Sequence, residues 1–321
     1  MHLAFVTPSP DPAGGGSSFN AGLIPALRGL GATIDIGHAG LPPGGVPVID
    51  GMVLPDLVDQ LPALVARDAV VIVHHVSAKA GRDAATRESI REIEGRMLPS
   101  LRRVIATSQP IADRLSAEFG LAPLLLPPGQ PVLPRSSGRA GASGCALLAV
   151  GVFTPRKGHD RLLTALSRLT DLDWTLTIAG DDRRDPACAS GLAAQIDTLG
   201  LQSRVTLLPR PDDAALDRAW RAADLFALAT EWEGYPSGIA EALRRGLPIV
   251  APGLPSIIAL VPAAAGVLYP PGDAVTFGKC LRRTLCDRAL RTGLADAAWQ
   301  AGTALPGWDR QARAFISILE G

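Results

Sequence analysis

One stretch in the second half of the chain, residues 230–248, combines carboxylates with a tight turn and could bind a phosphorylated ligand. It reads TEWEGYPSGIAEALRRGLP and follows an apolar run at residues 225–229. This order predicts a strand, a turn and then a helix that begins at about Ser237. The turn residues are Gly234, Tyr235 and Pro236. Because a helix start carries unpaired N–H groups and positive dipole charge, we expect Ser237 and Gly238 to donate to a phosphate.

Two glutamates flank this turn. Glu233 lies before it, and Glu241 lies one turn into the predicted helix, so both carboxylates are expected to face the same cleft. A carboxylate can accept two hydroxyl groups, which suits a ribose or a sugar. Taken alone, the stretch fits equally well a structural helix start with solvated glutamates.

A second glycine-containing loop, residues 151–158, follows the apolar run at residues 146–150 and leads into the next predicted helix. Lys157 offers a point charge for a diphosphate, and Gly158 permits close approach of the backbone. Both motifs follow predicted parallel strands, and α/β sheets bind their ligands at the carboxyl ends of strands. The two loops are therefore predicted to converge on one crevice.

Alternating apolar runs and helix-like segments predict the elements that position these loops. In the second half this alternation is typical of βαβ units and a parallel sheet, with strands at residues 146–150, 174–179, 204–208, 225–229 and 248–251. The first half repeats the theme more loosely and predicts a second, smaller sheet, with strands at residues 3–6, 69–73, 104–107 and 123–126.

The boundary between the halves is a segment rich in proline, glycine and serine, PPGQPVLPRSSGRAGASG, which breaks both helical and strand periodicity. We predict a first domain at residues 1–127, a linker at 128–144 and a second domain at 145–304. Residues 305–321 are predicted to form one amphipathic helix that could cap either domain, including by crossing back to the first. Its predicted apolar side consists of Trp308, Phe315, Ile316 and Leu319.

Composition excludes several classes of protein. Lys plus Arg and Asp plus Glu each number 31, so no global field would gather nucleic acid, and we predict no nucleic-acid partner. The four cysteines lack a CxxC pair or a nearby histidine at metal spacing, which argues against a zinc site or a disulfide framework. Without a targeting signature or an apolar run of about 18 residues, we expect a cytoplasmic protein with at most peripheral contact to the inner face of a membrane.

Taken together, the motifs resemble glycosyltransferase family 4. The resemblance covers the second half of the chain, and its members carry a Glu-x7-Glu pair, the spacing of Glu233 and Glu241. Further matching segments are residues 151–158, the Leu-x-Ile-Ala-Gly that ends at Gly180, and IAEAL at residues 239–243. The resemblance implies an α/β protein of GT-B type, with two Rossmann-like parallel-sheet domains facing across a cleft. It also implies a retaining hexosyltransferase that uses a UDP- or GDP-linked sugar and needs neither a metal nor another cofactor.

The same resemblance assigns roles to individual residues. Glu241 would hold the donor ribose hydroxyls, Glu233 would face the transferred sugar, and Lys157 would stabilise the leaving diphosphate. A histidine in the first half, His75 in preference to His74, would contact the sugar, or else both histidines are structural. The predicted catalytic residues are thus Glu233, Lys157 and His75. The predicted donor-binding residues are Gly15, Gly16, Thr154, Arg156, Lys157, Gly180, Gly234, Tyr235, Pro236, Ser237, Gly238 and Glu241.

Two positions depart from the pattern of the family. Val152 stands where many relatives have arginine directly after the glycine, so one cation for the diphosphate is missing. Arg156 either replaces that cation or is a solvated turn residue. Pro236 stands where glycine is common, which removes one N–H but keeps the turn tight.

Several alternatives remain open at the sequence level. A basic segment at residues 79–103 is either a solvated helix face or a surface for anionic lipid. The acceptor could be a sugar, a lipid-linked molecule or another small molecule, and the oligomeric state is not predicted. A nucleotide-sugar epimerase, a phosphorylase or a catalytically degenerate nucleotide-sugar-binding protein could share the two-lobed architecture.

Overall fold

The computed structural model describes residues 1–8, 18–38, 40–74, 84–138 and 144–321. The chain divides into two compact units. Unit 1 contains residues 1–131 and 306–321, and unit 2 contains residues 132–305. Unit 1 is therefore built from both ends of the chain.

Unit 1 is built around a six-stranded sheet in the order β2-β1-β3-β4-β5-β6, and every pair of neighbours is parallel. Its strands are β1 (His2–Val6), β2 (Thr33–Gly37), β3 (Val46–Asp50), β4 (Val70–Val73), β5 (Arg103–Ala106) and β6 (Leu124–Leu125). Its first helices are α1 (Ser18–Gly29), α2 (Leu61–Ala66), α3 (Ala84–Met97) and α4 (Gln109–Phe119), with 3-10 helices at Gly51–Gln60 and Leu98–Ser100.

Unit 2 also contains six parallel strands, in the order β12-β11-β10-β7-β8-β9. They are β7 (Cys145–Val150), β8 (Trp174–Gly180), β9 (Val205–Pro209), β10 (Leu225–Ala227), β11 (Ile249–Pro252) and β12 (Gly266–Tyr269). The helices are α5 (His159–Ser167), α6 (Pro186–Thr198), α7 (Asp213–Ala222), α8 (Ser237–Arg244), α9 (Pro255–Ile258), α10 (Ala274–Cys286) and α11 (Arg288–Ala304), with a 3-10 helix at Pro155–Lys157. Helix α12 (Trp308–Glu320) then returns to unit 1.

Hydrophobic side chains cover both faces of each sheet, as expected when helices flank parallel strands on both sides. In unit 1, alternate residues of one strand enter different cores: Phe5 belongs to the cluster that includes α12, and Val6 to the cluster on the other face. In unit 2, Leu162, Leu163 and Leu166 of α5 are buried in the core beside β7 and β8. These leucines form the apolar face of that helix.

The site-forming feature of unit 2 is the reversal of strand order at β7 and β10. These two strands are neighbours, with Leu147 opposite Leu225 and Leu148 opposite Phe226. From β7 the chain proceeds to β8 on one side, and from β10 it proceeds to β11 on the other. The loops that follow β7 and β10 therefore leave the sheet side by side at its carboxyl edge, where doubly wound sheets bind ligands.

Helix α12 belongs to the core of unit 1. Its buried residues include Ala312, Phe315 and Leu319, while Ile316 is only partly buried. The indole of Trp308 meets the Phe19 ring edge-on, with 5.4 Å between ring centroids. The helix begins at Trp308 and not at residue 305 because Pro306 and Gly307 precede it.

The prediction of two Rossmann-like parallel-sheet units is confirmed, but the expected smaller first sheet is wrong because both sheets contain six strands. Strands β2, β3 and β12 were not predicted. Pro47 lies inside β3, opposite Ala4 of β1, and proline within a run ordinarily argues against a central strand. Two predicted strands are shorter than expected, since β10 ends at Ala227 and β6 has only two residues.

Among the helices that the structure describes, none combines the length and the apolar character needed to cross a bilayer.

Candidate functional site

The loop after β7 is held against β8 at a point where only glycine fits. The Gly151 N–H donates to the Ala179 carbonyl at 2.9 Å. A Cβ placed on Gly180 would lie 2.0 Å from the Gly151 carbonyl oxygen. Gly180, which the sequence singled out as donor-binding, therefore permits two backbones to meet at the carboxyl edge of the sheet.

A second glycine joins the loop after β7 to the loop after β10. Gly158 has φ +68°, and a Cβ there would lie 2.1 Å from the Ala229 carbonyl oxygen. The next residue, His159, is buried, and its Nε2 lies 3.2 Å from the Gly151 carbonyl oxygen. Burial lowers the pKa of His159 to about 4, so the imidazole is neutral at pH 7. Its contact with the Gly151 carbonyl connects the two ends of the loop.

An ion pair links the two loops. The Lys157 ammonium donates to Glu233 Oε1 at 2.6 Å, and the two side chains are 15% and 8% exposed. The Lys157 stem passes over Gly151, where a Cβ would lie 3.1 Å from Lys157 Cδ. Ser256 donates to the Glu233 main-chain carbonyl at 2.8 Å. The structure thus brings together the lysine and the glutamate for which the family resemblance implied catalytic roles.

Arg156 faces the same carboxylate. Its Nη1 donates to the Trp232 carbonyl at 2.5 Å and lies 3.8 Å from Glu233 Oε2. The guanidinium also lies 5.8 Å from the centroid of the Trp232 ring. Two cations therefore flank one carboxylate, and the Arg156 side chain is anchored by defined contacts although it is 36% exposed.

The hydroxyl of Thr154 lies in the same loop. Its Oγ1 is buried and has no hydrogen-bond partner among the described residues. Both backbone polar groups of Thr154 form hydrogen bonds within the turn: its N–H donates to the Val152 carbonyl, and its carbonyl accepts from the Lys157 N–H. The loop consequently keeps one buried hydroxyl that has no partner in the described part of the chain.

The start of α8 differs in detail from the prediction. Pro236 has φ −81° and ψ 73°, the geometry of an inverse γ-turn, and the Ser237 N–H donates to the Tyr235 carbonyl at 2.9 Å. The Ser237 amide is thus engaged in the turn that follows Gly234. The Gly238 N–H makes no hydrogen bond within the described part of the chain. It could therefore donate to a ligand at the start of the helix.

Glu241 has partners of its own, separate from those of Glu233. Arg245 Nε donates to Glu241 Oε1 at 3.1 Å, and Arg245 Nη1 lies 2.8 Å from Asp217 Oδ1. Burial raises the pKa of Glu241, and the charge and hydrogen bond of Arg245 partly offset this rise. Arg245 was not identified from the sequence. The available signal was its i,i+4 spacing from Glu241 on a helix.

In unit 1, the predicted Gly15, Gly16 and His75 lie outside the described residues. The neighbouring His74 is described, and its Nε2 lies 3.3 Å from Oδ2 of the buried Asp50.

Asp50 ends β3 and was also not identified from the sequence. It accepts hydrogen bonds from Asn20 Nδ2 at 2.5 Å and from the Met52 N–H at 3.0 Å. Burial raises the pKa of Asp50, but the contacts with His74, Met52 and Asn20 outweigh burial and hold the pKa below its usual value. The signal that could have found it is an aspartate directly after an apolar run and before Gly51. Across the described ranges, no group of three or more His, Cys, Asp or Glu residues could hold a metal ion.

Comparison with known proteins gives a family match for the unit 2 sequence. Residues 144–287 match the family model described as glycosyl transferases group 1. This range contains both loops of the site.

Among curated relatives, the mannosylfructose-phosphate synthase of Agrobacterium fabrum is 25% identical over 238 residues, which cover 68% of this chain and 52% of the relative. The D-inositol 3-phosphate glycosyltransferase of Segniliparus rotundus is 29% identical over 192 residues, which cover 54% of this chain and 42% of the relative. The chain spans about half the length of the curated relatives it matches.

Solved structures match the whole chain in fold. A sucrose-phosphate synthase from Thermosynechococcus elongatus has a TM-score of 0.79 at 20% identity, covering 100% of this chain and 98% of that one. The Anabaena protein HepE in complex with UDP and glucose has a TM-score of 0.78 at 17% identity, covering 100% and 99%. The chain therefore has the GT-B fold of glycosyltransferases, and its residues 144–287 match the family of group 1 glycosyl transferases.

Proposed function

We propose that the protein is a retaining glycosyltransferase that moves a hexose from a UDP- or GDP-linked donor to an acceptor hydroxyl. The observation that carries the proposal is the pairing of Lys157 with Glu233 at 2.6 Å, between the two loops that leave the sheet at its strand-order reversal. A cation for a diphosphate and a carboxylate for sugar hydroxyls lie there within one hydrogen bond.

The charges near this pair suit a diphosphate. Lys157 and Arg156 together carry two positive charges against the single negative charge of Glu233. Arg156 is proposed to replace the cation that Val152 lacks, because its guanidinium is anchored beside Glu233. The Gly238 N–H at the start of α8 adds a donor for phosphate oxygen.

The comparisons support the donor class. HepE is described in complex with UDP and glucose, and the curated relatives are named for transfer products or acceptors that contain a sugar phosphate or an inositol phosphate. We propose that Glu241 holds the ribose hydroxyls of the donor and that Glu233 faces the transferred sugar. The acceptor is proposed to be a hydroxyl of a sugar, of a lipid-linked molecule or of a small polyol.

The proposed step breaks the bond between the anomeric carbon and the diphosphate oxygen and forms a bond from that carbon to the acceptor oxygen. The acceptor proton passes to the departing phosphate oxygen, so the products are the glycoside and the nucleoside diphosphate. Negative charge builds on the leaving group in the transition state, and a preorganised Lys157 stabilises it where it develops. Positioning of the two reactants by the bound donor lowers the barrier further.

The test is transfer from a panel of UDP- and GDP-linked hexoses to sugar phosphates, inositol phosphates and simple sugars, followed by NMR of the anomeric centre. We expect one donor to react with retention of configuration. Lys157→Ala should lower kcat/KM by about 10² to 10³-fold, the usual cost of removing one transition-state donor. Glu233→Gln should also lower kcat/KM, and it should leave nucleoside diphosphate binding in place.

Matched controls are available on the surface. Lys279→Ala on α10 and Glu320→Gln on α12 remove the same groups from exposed positions and should leave transfer unchanged. Near-normal transfer by both Lys157→Ala and Glu233→Gln would show that the roles are misassigned. Donor binding without transfer to any acceptor would favour a binding protein, and an epimerised donor would favour an epimerase.

A further inference from the structure

A charged network extends from Glu241 into the neighbouring helix α7. Arg245, at the end of α8, donates to Glu241 Oε1 at 3.1 Å and lies 2.8 Å from Asp217 Oδ1 of α7. Asp217 also accepts from Arg221 Nε at 2.6 Å. Glu241 is thus the end member of a chain of alternating charges that lies outside both loops.

The arginine in this network is the buried member. Its side chain is 4% exposed, whereas the Glu241 side chain is 31% exposed. Its guanidinium lies 5.6 Å from the centroid of the fully buried Trp220 ring. An arginine buried against an aromatic ring and held by two carboxylates has little freedom, so it presents Nε to Glu241 in one fixed geometry.

The contact with Arg245 offsets the effect of burial on the charge of Glu241. Burial favours the neutral form of a carboxyl group and raises the pKa of Glu241. Among the described residues, the charged groups that face it are Arg245, which lowers the pKa, and Asp217, which raises it. Asp217 is itself kept ionised, because Arg221 first and Arg245 second lower its pKa. Of these two groups, Arg245 is therefore the one whose charge favours an ionised Glu241.

We propose that Arg245 is a positioning residue for the donor: it holds Glu241 ionised and fixed in direction so that the carboxylate can accept both ribose hydroxyls. The inference rests on the proposed function, in which Glu241 binds the ribose. It adds that α7, through Asp217 and Trp220, helps to set the affinity for the nucleotide. Hydrogen bonds to a charged acceptor are stronger than those to a neutral one, so loss of Arg245 weakens binding through Glu241.

The experiment measures the Kd of UDP and GDP by calorimetry from pH 5.5 to 8.5 for the wild type, Arg245→Met, Glu241→Gln and the double variant. Arg245→Met should weaken binding of the preferred nucleotide by up to about tenfold at pH 5.5, where the neutral form of Glu241 is most populated, the difference between a charged and a neutral hydrogen-bond partner. The defect should shrink as the pH rises, because a higher pH restores the Glu241 carboxylate. Glu241→Gln has no carboxyl group at this position, so its pH profile shows how ionisation of the nucleotide phosphate alone changes Kd.

The double variant separates positioning from a general structural role. In the Glu241→Gln background, adding Arg245→Met should change Kd by less than about twofold, since contacting residues that act through each other are not additive. Arg245→Lys, which keeps the charge, should recover part of the affinity. Asp217→Asn keeps Arg245 and should give a smaller loss with the same pH trend.

The outcomes distinguish this inference from the proposed function. If the wild type binds neither nucleotide, the proposed function is wrong. If the wild type binds one of them and Arg245→Met has the same Kd at every pH, the positioning role is wrong. A loss in Arg245→Met that is equally large in the Glu241→Gln background would assign Arg245 to structure alone.

Discussion

At the scale of single residues, the site holds Glu233 between two cations, and this has consequences for any substitution there. Lys157 and Glu233 are mostly buried, and removing one member of such a pair leaves an uncompensated charge. Lys157→Ala is therefore expected to lower stability as well as the proposed transfer activity. A melting curve for each variant belongs beside its kinetics, and substitution with an uncharged isostere such as Lys157→Met tests the same role with less loss of packing.

His159 gives a pH prediction that is independent of any ligand. Its pKa is about 4 in the folded protein because burial disfavours the charged form, against about 6.5 in an unfolded chain. Between these values the unfolded state binds more protons, so the stability contribution is complete above pH 6.5 and is lost as the pH falls towards 4. The free energy of unfolding should decrease by about 2 kcal/mol between pH 7.5 and pH 5 on account of this residue.

Urea denaturation of the wild type and of His159→Asn at the two pH values checks this prediction. The variant is less stable at pH 7.5, because the contact with Gly151 changes, but its stability should fall less on going to pH 5. An equal fall in both proteins would show that His159 is not held neutral.

Candidate site residues that stand in local motifs were predictable from the sequence, and those whose surroundings depend on distant contacts were not. Lys157 and Glu233 stand in loops whose glycines and turn residues are visible in sequence order. Asp50 becomes notable only because β3 lies beside β4, which brings it within 3.3 Å of His74. Arg245 reads as an ordinary helical cation until Asp217 and Trp220 of α7 are seen to bury it.

At the scale of elements, apolar runs of four or more residues predicted most strands, and the failures have local causes. The run VPVID contains Pro47, yet it forms a central strand because its neighbours β1 and β4 bury it on both sides. The stretch TIDIG lies at the sheet edge with only Ile34 buried, so its hydrophobic signal is weak. The predicted start of α8 at Ser237 is confirmed, because the turn residues before it are distinctive, whereas α12 begins three residues later than predicted.

Helix α12 gives a prediction at this scale. Phe315 is fully buried in the unit 1 core, with its ring centroid 6.4 Å from that of Phe5. Phe315→Ala should lower the free energy of unfolding by about 3–5 kcal/mol, the usual cost of a large cavity. Arg310→Ala, at an exposed position of the same helix, should change it by less than about 0.5 kcal/mol. Chemical denaturation followed by circular dichroism measures both, and equal effects would contradict the placement of α12 in this core.

At the scale of the whole molecule, the sequence predicted two parallel-sheet units but not the strand order within them. Order depends on which helix crosses which face, and single-chain periodicity does not encode that choice. In unit 2 the order places β7 beside β10, although 74 residues separate Val150 from Leu225 with β8 and β9 between them along the chain. This adjacency, which the local sequence does not show, places the loop that carries Lys157 beside the loop that carries Glu233.

The central claim is that these two joined loops grip the diphosphate of a nucleotide. The most direct measurement is the melting temperature of the wild type, Lys157→Ala and Lys279→Ala with saturating UDP or GDP, compared with uridine or guanosine. A ligand at 100 times its Kd stabilises the folded state by about 2.7 kcal/mol. We expect one diphosphate to raise the melting temperature of the wild type and of Lys279→Ala by several degrees, with a much smaller rise from its nucleoside and in Lys157→Ala. No rise with either diphosphate, or an undiminished rise in Lys157→Ala, would contradict the claim.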